Sequence, residues 1–287
     1  MIKLKGTTKY FFEGTPNEIK ALNLITLHIK PGDFITIIGS NGAGKSTLLK
    51  IIAGVEAVDT GTIYLDGKNV TDKPEYKRAT HIGRIDQDPM ASTASDMTIE
   101  ENLAMAYTRG IRRGLHRAVT KNRIAHFKKV LTEVGLGLEK RLDVPVGTLS
   151  GGQRQALALV MATIAEPKLL VLDEHTAALD PKIARQVMSI TDHVIKTRKL
   201  TTLMVTHNME QAIKYGNRLI MMHRGRIILD IGEAEKSKLT VPQLIEKFTE
   251  TSGDVFDDDR VLLAHTHKGE TDGNIKEHSG AGEPGRT

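Results

Sequence analysis

Residues 39–47 have the composition and spacing of a loop that wraps around phosphate groups. They read Gly-Ser-Asn-Gly-Ala-Gly-Lys-Ser-Thr and stand between the apolar run Phe34–Ile38, which predicts a buried strand, and a helical pattern over Lys45–Ala53. Glycines let successive backbone N–H groups face phosphate oxygens, and the helix N-terminus adds a favourable dipole. Lys45 would then reach the β- and γ-phosphates of a nucleotide, and Ser46 would ligate a magnesium ion. The residues predicted to surround the nucleotide here are Gly39, Ser40, Asn41, Gly42, Ala43, Gly44, Lys45, Ser46 and Thr47.

Two adjacent acids follow a second apolar run. Leu169–Leu172 predicts a buried strand, and Asp173 and Glu174 come directly after it. Taken alone, acids at the end of a strand are usually cap or loop residues. Beside a phosphate loop, however, Asp173 can hold magnesium through its waters and Glu174 can polarise the attacking water. The pair therefore indicates nucleotide hydrolysis.

A third motif, Leu149-Ser150-Gly151-Gly152-Gln153, precedes a helical pattern over Arg154–Ala165. By itself this motif is an ordinary helix start in which a serine caps the first turn. Its interpretation changes because it stands in a series: the phosphate loop, Gln87, this motif, Leu172-Asp173-Glu174, Ala178-Leu179-Asp180 and His207. The order of the series resembles that of ABC transporter ATPase domains, over roughly residues 1–245.

The resemblance implies a role for each matching residue. Gln87 would contact magnesium and the attacking water and couple the site to a membrane partner. His207, after the apolar run Thr201–Val205, would contact the γ-phosphate and orient the water with Glu174. Ser150, Gly151, Gly152 and Gln153 would bind the γ-phosphate of ATP held by a second subunit, so that two sites close in a head-to-tail dimer, and Asp180 would communicate between them. The predicted catalytic residues are thus Lys45, Gln87, Glu174 and His207, and the predicted magnesium ligands are Ser46, Gln87 and Asp173.

The same resemblance calls for an aromatic residue that stacks on adenine. Tyr10, Phe11 and Phe12 are available, and counting back from Ala21-Leu22 favours Phe12. The other two aromatic residues are expected to lie in the core.

Two segments depart from the family pattern. Glu174 is followed by His175-Thr176-Ala177, where the family usually continues through proline, threonine and serine, and Ile85-Asp86 precedes Gln87 where an aromatic residue is common. Since the lysine and both acids are intact, we expect an active ATPase, and we expect His175 to be a local variation without effect on hydrolysis.

Periodicity predicts an α/β protein interrupted by a helical insertion. Strands broken at Gly14–Pro16 come first, a helical stretch begins with the capped start at Thr98, and a helix spans Pro181–Thr197. Further strands are predicted at Thr62–Leu65, which enters the turn Asp66-Gly67, and at Leu219–Met222 and Arg226–Leu229, which form a hairpin around Gly225. With the resemblance, this becomes a P-loop NTPase core with a mixed or parallel sheet, an antiparallel β subdomain and an inserted α-helical subdomain. The ABC ATPase domain would span 1–250, with the helical subdomain at about 89–165, and residues 251–287 would be a polar, disordered tail.

Composition excludes several classes of protein. The chain of 287 residues has no cysteine and no tryptophan, which rules out disulfides and thiolate metal sites and disfavours an aromatic platform for single-stranded nucleic acid. No apolar run approaches the roughly 18 to 20 residues of a membrane span, and we expect no secretion signal. The net charge of +5 is mild but uneven. An acid-free basic stretch, either a solvated helical face or a patch for anionic lipid or an acidic partner, contains Arg109, Arg112, Arg113, Arg117, Lys121, Arg123, Lys128 and Lys129.

An ATPase domain without membrane-spanning segments resembles the separate ATPase subunit of a bacterial importer. The implied partners are a second ATPase subunit of the same kind, an integral membrane permease that docks on Thr98–Ala165 with Gln87 at the entrance, and an extracellular substrate-binding protein. Residues 88–91 and 173–180 resemble a subgroup linked to amino-acid uptake, and the chain would sit at the cytoplasmic face of the membrane. The alternatives are an exporter ATPase and a soluble ABC ATPase acting on ribosomes or nucleic acid. Only the basic stretch Arg109–Lys129 favours the latter, so no nucleic acid partner is expected.

Overall fold

The computed structural model of the protein describes residues 1–88, 90, 92–110 and 117–253. Predictions that fall on Pro89, Ala91, Arg112, Arg113 or the tail beyond Gly253 lie outside the described residues. The strands are β1 (Ile2–Phe11), β2 (Ile19–Ile29), β3 (Phe34–Gly39), β4 (Thr60–Leu65), β5 (Lys68–Asn69), β6 (Ile82–Ile85), β7 (Leu169–Asp173), β8 (Thr201–Val205), β9 (Arg218–His223) and β10 (Arg226–Ile231). The α-helices are α1 (Lys45–Ala53), α2 (Glu75–Arg78), α3 (Ile99–Tyr107), α4 (Lys121–Thr132), α5 (Gly151–Thr163), α6 (Pro181–Arg198), α7 (Met209–Lys214), α8 (Glu233–Lys236) and α9 (Val241–Ser252).

The larger sheet has the strand order β10-β9-β3-β8-β7-β6. Neighbours from β9 to β6 run parallel, and β10 pairs antiparallel with β9. The central strands β3 and β8 are buried along their whole length, as expected of parallel strands covered on both faces. Because parallel strands end at the same edge of a sheet, the residues that follow β3, β6, β7 and β8 are brought to one edge.

Alternate side chains of the sheet enter two separate cores. Leu169 and Val171 of β7 pack with β1, β2 and α1, whereas Leu170 and Leu172 pack with α3, α4, α5 and α6. This division follows from the period of two along a strand, which points successive side chains to opposite faces. The sheet is therefore the middle layer between an antiparallel β layer and a helical layer.

The antiparallel layer is a second sheet with the strand order β2-β1-β4-β5. Its inward residues, among them Ile2, Leu4 and Leu27, share a core with the buried face of α1. This layer holds α1, and with it the loop after β3, against the larger sheet.

The helical layer begins with a capped helix, as predicted. The Thr98 side chain accepts the backbone N–H of Glu101 while the Glu101 side chain accepts the backbone N–H of Thr98, which is a capping box at the start of α3. On α4, the basic side chains of Lys121, Lys128 and Lys129 are exposed, which both interpretations of the basic stretch allow. Among the described residues, no helix has both the length and the apolar sequence needed to cross a bilayer.

The predicted fold class is confirmed, but the sequence patterns missed six short or terminal elements, namely β5, α2, β6, α7, α8 and α9. Strand β6 has only four residues and contains a glycine and an arginine, so that its pairing with β7 rather than its own pattern makes it a strand. Helix α9 ends at Ser252, past the predicted domain boundary at residue 250, and its Leu244 and Phe248 are buried. The division into a domain at 1–250 and a tail stays a prediction.

Candidate functional site

The loop between β3 and α1 has a backbone that only glycine permits at two positions. A Cβ atom on Gly39 would lie 2.1 Å from the carbonyl oxygen of Met222, and one on Gly44 would lie 2.3 Å from that of Ala21. Gly44 is the N-cap of α1 with φ of 95°, and no side chain caps this helix start. An uncapped helix N-terminus at the end of a buried strand is suited to binding an anion.

Lys45 reaches back across this loop. Its side chain is only 7% exposed, and its Nζ donates to the carbonyl oxygens of Gly39 at 2.8 Å and Ser40 at 3.0 Å. Phosphate oxygens carry charge and are stronger acceptors for an ammonium group than neutral carbonyl oxygens. The ammonium group is thus held at the loop in a position from which it can bind a phosphate.

Ser46 and Asp173 meet between α1 and the end of β7. The Ser46 Oγ donates to Asp173 Oδ1 at 3.1 Å. Burial is the main cause that raises the pKa of Asp173, and the negative charges of Glu174 and Asp86 raise it further, while the Ser46 hydrogen bond opposes them. A buried carboxylate beside other acids is a place where a cation is favourable. Hydroxyl and carboxylate oxygens are the ligands that magnesium prefers, so these residues fit the ion.

Glu174 follows β7 directly and lies between the ends of β6 and β8. Its Oε2 is 3.5 Å from Gln87 Nε2, which follows β6, and 3.5 Å from His207 Nδ1, which follows β8. Its backbone has φ of 45°, and its N–H donates to the carbonyl oxygen of Val205 at 3.1 Å. The structure therefore brings together Gln87, Glu174 and His207, which the sequence analysis assigned to one site.

The motif at residues 150–153 lies in the helical layer, against α6. Ser150 is the N-cap of α5 and forms a capping box with Gln153. A Cβ atom on Gly152 would lie 2.5 Å from Ile183 Cγ2, and one on Gly151 would lie 3.0 Å from Leu179 Cδ2. Both glycines thus allow α5 to approach the start of α6 closely.

Asp180 has a structural role that its sequence position did not specify. It is the N-cap of α6, and its Oδ1 accepts the backbone N–H groups of Lys182 and Ile183, each at 3.1 Å. The predicted roles of Asp180 and of Ser150–Gln153 at a nucleotide stay predictions.

None of the three N-terminal aromatic residues lies in the core. Tyr10 and Phe11 are half-buried, and the Nζ atoms of Lys20 and Lys9 lie 5.0 and 5.5 Å from the respective ring centroids. The expectation that two of the three would be core residues is therefore wrong, because β1 lies at this point under lysine side chains rather than under apolar ones. Phe12 is 67% exposed and accessible to a ligand, and its stacking on adenine stays a prediction.

Two histidines near the site were not assigned by sequence reasoning. His223 ends β9, the parallel neighbour of β3, and its Nδ1 is 3.5 Å from Ser40 Oγ. The signal that could have found it is its position at a strand end. His175, directly after Glu174, is only 3% exposed. Its Nε2 lies 3.3 Å from Thr191 Oγ1, and burial lowers its pKa to about 4.

Comparisons of the sequence with known proteins agree on one family. The profile described as ABC transporter matches residues 22–177. The tyrosine transport ATP-binding protein of Clostridioides difficile (strain R20291) is 44% identical over 250 residues, which cover 86% of this chain and 98% of that protein. The energy-coupling factor transporter ATP-binding protein EcfA2 of Acetivibrio thermocellus is 34% identical over 226 residues, covering 79% of this chain and 78% of that protein.

Solved structures agree with the sequence relatives. A dimeric post-hydrolysis state of the ATP-binding cassette MJ0796, bound to ADP and phosphate, has a TM-score of 0.69 at 28% identity and covers 81% of this chain and 99% of that one. The ADP conformation of the transporter cassette MJ1267 has a TM-score of 0.71 at 28% identity, with coverage of 86% and 98%. These similarities agree with the phosphate loop and with the acidic cluster, Asp173 and Glu174, at the sheet edge. The chain belongs to the ABC transporter family and is one of its ATP-binding, ATP-hydrolysing subunits.

Proposed function

We propose that ATP is hydrolysed at the edge of the larger sheet, with Glu174 polarising the attacking water. The observation that supports this role is the cluster in which Gln87 Nε2 and His207 Nδ1 each lie 3.5 Å from Glu174 Oε2. A carboxylate between an amide and an imidazole can hold a water molecule and accept its proton. Lys45, at the phosphate loop, neutralises the charge that develops on the transferred phosphoryl group.

Magnesium is part of this proposal, with Ser46, Gln87 and Asp173 as the residues that hold it. When bound, the ion would neutralise phosphate charge and align the β- and γ-phosphates. The contact of 3.1 Å between Ser46 Oγ and Asp173 Oδ1 supports this assignment, because it places a hydroxyl beside a carboxylate, and Asp173 would hold the ion through its waters.

The active unit in this proposal is a head-to-tail dimer, either of two copies or of this chain with a second ABC ATPase subunit. Each chain would present Ser150–Gln153 to the ATP held by the phosphate loop of the other. Two observations favour this arrangement: Ser150 and Gly151 are exposed at the start of α5, and the related cassette with ADP and phosphate is dimeric. Phe12 would stack on the adenine, and Asp180 would lie between the two sites.

The dimer would power a separate membrane permease at the cytoplasmic face, as part of a bacterial importer of amino acids or similar small solutes. Exposed apolar side chains at Met90 and Met105, near Gln87 and on α3, favour a docking surface in this region. The amino-acid cargo is supported by the 44% identity with the tyrosine transport ATP-binding protein. An extracellular substrate-binding protein would deliver the cargo to the permease.

The Glu174→Gln variant tests both the chemistry and the partner. The amide cannot accept a proton, so ATP binding should be retained while hydrolysis falls about 100-fold or more, and a closed dimer should accumulate with magnesium and ATP. Lys45→Ala is the matched control, since a pair of such chains should neither hold the nucleotide nor form this closed dimer. Hydrolysis at the wild-type rate by Glu174→Gln would show that another residue activates the water.

Affinity purification of Glu174→Gln from membranes, in magnesium and ATP, then identifies the partner. Recovery of a polytopic permease that is absent from the Lys45→Ala sample supports a transporter, and a companion binding protein supports import. A panel of amino acids and polyamines, screened by thermal shift on that binding protein, tests the cargo. A permease without a binding protein would favour an exporter, and recovery of ribosomes or nucleic acid alone would refute the transport proposal.

A further inference from the structure

The residue after Glu174 points into the protein rather than into the site. His175 is 3% exposed, and its Nε2 lies 3.3 Å from Thr191 Oγ1, in the middle of α6. The His175 side chain thus connects the turn that carries Glu174 with the helical layer. Filling this space requires no polar atom. The hydrogen bond between His175 and Thr191 therefore indicates a role beyond packing.

The direction of this hydrogen bond follows from its neighbours. The Thr191 hydroxyl donates its hydrogen to the carbonyl oxygen of Val187 at 2.9 Å. A hydroxyl has one donor and two acceptor positions, so that Thr191 Oγ1 can only accept from His175, and the imidazole donates through Nε2. This assignment selects one ring orientation and one neutral tautomer for His175.

The backbone that His175 holds is strained. Glu174 has φ of 45°, a backbone conformation that residues other than glycine and asparagine rarely adopt. Its N–H donates to the carbonyl oxygen of Val205 in β8 at 3.1 Å, and its carbonyl accepts the N–H of Ala177 at 2.9 Å. The bond from His175 to Thr191 adds an attachment to α6, so the turn is held from the sheet and from the helical layer.

We propose that His175 is a positioning residue for hydrolysis: its hydrogen bond to Thr191 fixes the turn that directs the Glu174 carboxylate between Gln87 and His207. This inference rests on the proposed role of Glu174. It replaces the expectation that His175 has no effect on hydrolysis. A displacement of about 1 Å at a reacting group can cost about 100-fold in rate, so losing this attachment lowers kcat without removing any group that touches the nucleotide.

Thr191 allows a test that leaves His175 in place. Thr191→Val keeps the volume and the branched shape but removes the acceptor, whereas Thr191→Ser keeps the hydroxyl. In the purified full chain, Thr191→Val should lower kcat for ATP about 10-fold with KM for ATP within twofold of wild type, and Thr191→Ser should keep most of the wild-type kcat. A wild-type kcat in Thr191→Val would overturn the proposal, as would equal losses in both variants.

A second pair of variants tests the donor. His175→Gln keeps an N–H donor, and His175→Leu fills similar space without one, so the glutamine variant should retain the larger share of kcat. Combining Thr191→Val with His175→Leu should lower kcat no further than His175→Leu alone, because one hydrogen bond is lost in each case. Thermal unfolding and binding of a fluorescent ATP analogue identify variants that fail through misfolding. If the glutamine and leucine variants have the same kcat, the side chain acts by packing and the inference is wrong.

The Glu174→Gln variant separates this inference from the function on which it rests. If Glu174→Gln hydrolyses ATP normally, the proposed role of Glu174 fails. If Glu174→Gln is inactive while Thr191→Val and His175→Leu keep the wild-type kcat, only the positioning role of His175 fails.

Discussion

At the scale of single residues, Glu174 shows how the site depends on contacts outside it. Its left-handed backbone conformation costs on the order of 1–3 kcal/mol, which surrounding interactions must offset. The hydrogen bond from its N–H to Val205 and the proposed attachment of His175 to Thr191 are such interactions. The conformation at Glu174 is therefore held by a hydrogen bond to β8 and, under the proposal, by one from His175 to α6.

Lys236 is a second residue whose chemistry is set by burial, far from the acidic cluster. It is 2% exposed, its Nζ donates to Thr36 Oγ1 and to the carbonyl oxygen of Gly216, each at 3.2 Å, and it also bonds the carbonyl oxygen of Tyr215. Burial lowers the pKa of Lys236 from 10.5 to about 8. This ammonium group thus joins α8 to the end of α7 and to β3.

The lowered pKa predicts a pH dependence of stability. Between pH 8 and 10.5 the unfolded chain keeps the Lys236 proton while the folded chain loses it, so the contribution of this group to stability rises with pH in that window. Relative to Lys236→Met, the free energy of unfolding of the wild type should rise by about 2 kcal/mol from pH 8 to pH 10, with little relative change below pH 7. Urea denaturation at each pH measures this difference. A constant difference across the range would contradict the lowered pKa.

At the scale of elements, α6 connects regions that have different predicted roles. Ile183, near its start, packs against Gly152 of α5, and Thr191 in its middle bonds His175 next to Glu174. In the proposed dimer, these two regions of one chain act at different ATP molecules. Helix α6 is then a rigid link between the two sites.

The contact between α5 and α6 can be tested through Gly152. A Cβ atom there would lie 2.5 Å from Ile183 Cγ2, which can move away only by a change of the χ1 angle that a helix strongly restricts in isoleucine, so Gly152→Ala should destabilise the chain by about 1–3 kcal/mol. In an Ile183→Ala background, the same substitution should cost much less, because the clashing atom is gone. Gly151→Ala is the matched control, since its Cβ would meet only the flexible end of Leu179, at 3.0 Å. Equal costs of Gly152→Ala in both backgrounds would show that another contact limits this position.

At the scale of the whole molecule, the chain separates the parts of its proposed site. The phosphate loop, Asp173 and Glu174 lie at the edge of the larger sheet, whereas Ser150–Gln153 lies in the helical layer. A site that contains both requires two chains under the head-to-tail proposal. A homodimer of this kind has two such sites related by symmetry.

Mixing two inactive variants tests this arrangement. Lys45→Ala damages the phosphate loop and Ser150→Arg damages the opposing segment, so a mixed dimer has one site with both defects and one intact site. Equal mixtures should recover between about a quarter of the wild-type ATPase rate, if the chains pair at random, and about half, if only mixed dimers form, since each mixed dimer has one working site of two. Mixtures of Lys45→Ala with Glu174→Gln should stay inactive, because both defects then affect residues that serve the chain's own nucleotide. No recovery in the first mixture, with both variants folded, would exclude a head-to-tail dimer of two copies of this chain.

The local elements of this protein could be predicted from the sequence. The phosphate loop occupies nine consecutive residues, from the last residue of β3 to the first turn of α1, and its glycines, Lys45 and Ser46 are recognisable without any distant contact. The capped starts at Thr98 and Ser150 are likewise local, because the cap and its partner are three residues apart. Such features depend on hydrogen bonds between residues that are close together in the sequence.

Only the tertiary structure decided how distant residues meet. Gln87 and Glu174 are 87 positions apart in the chain and come within 3.5 Å because β6, itself missed from the sequence, pairs with β7. The inward direction of His175 and the partial exposure of Tyr10 and Phe11 also depend on neighbours in other elements. The type and spacing of residues thus indicated phosphate chemistry, while the strand order determined which of the predicted side chains lie together, since pairing between strands is a long-range interaction that no local pattern encodes.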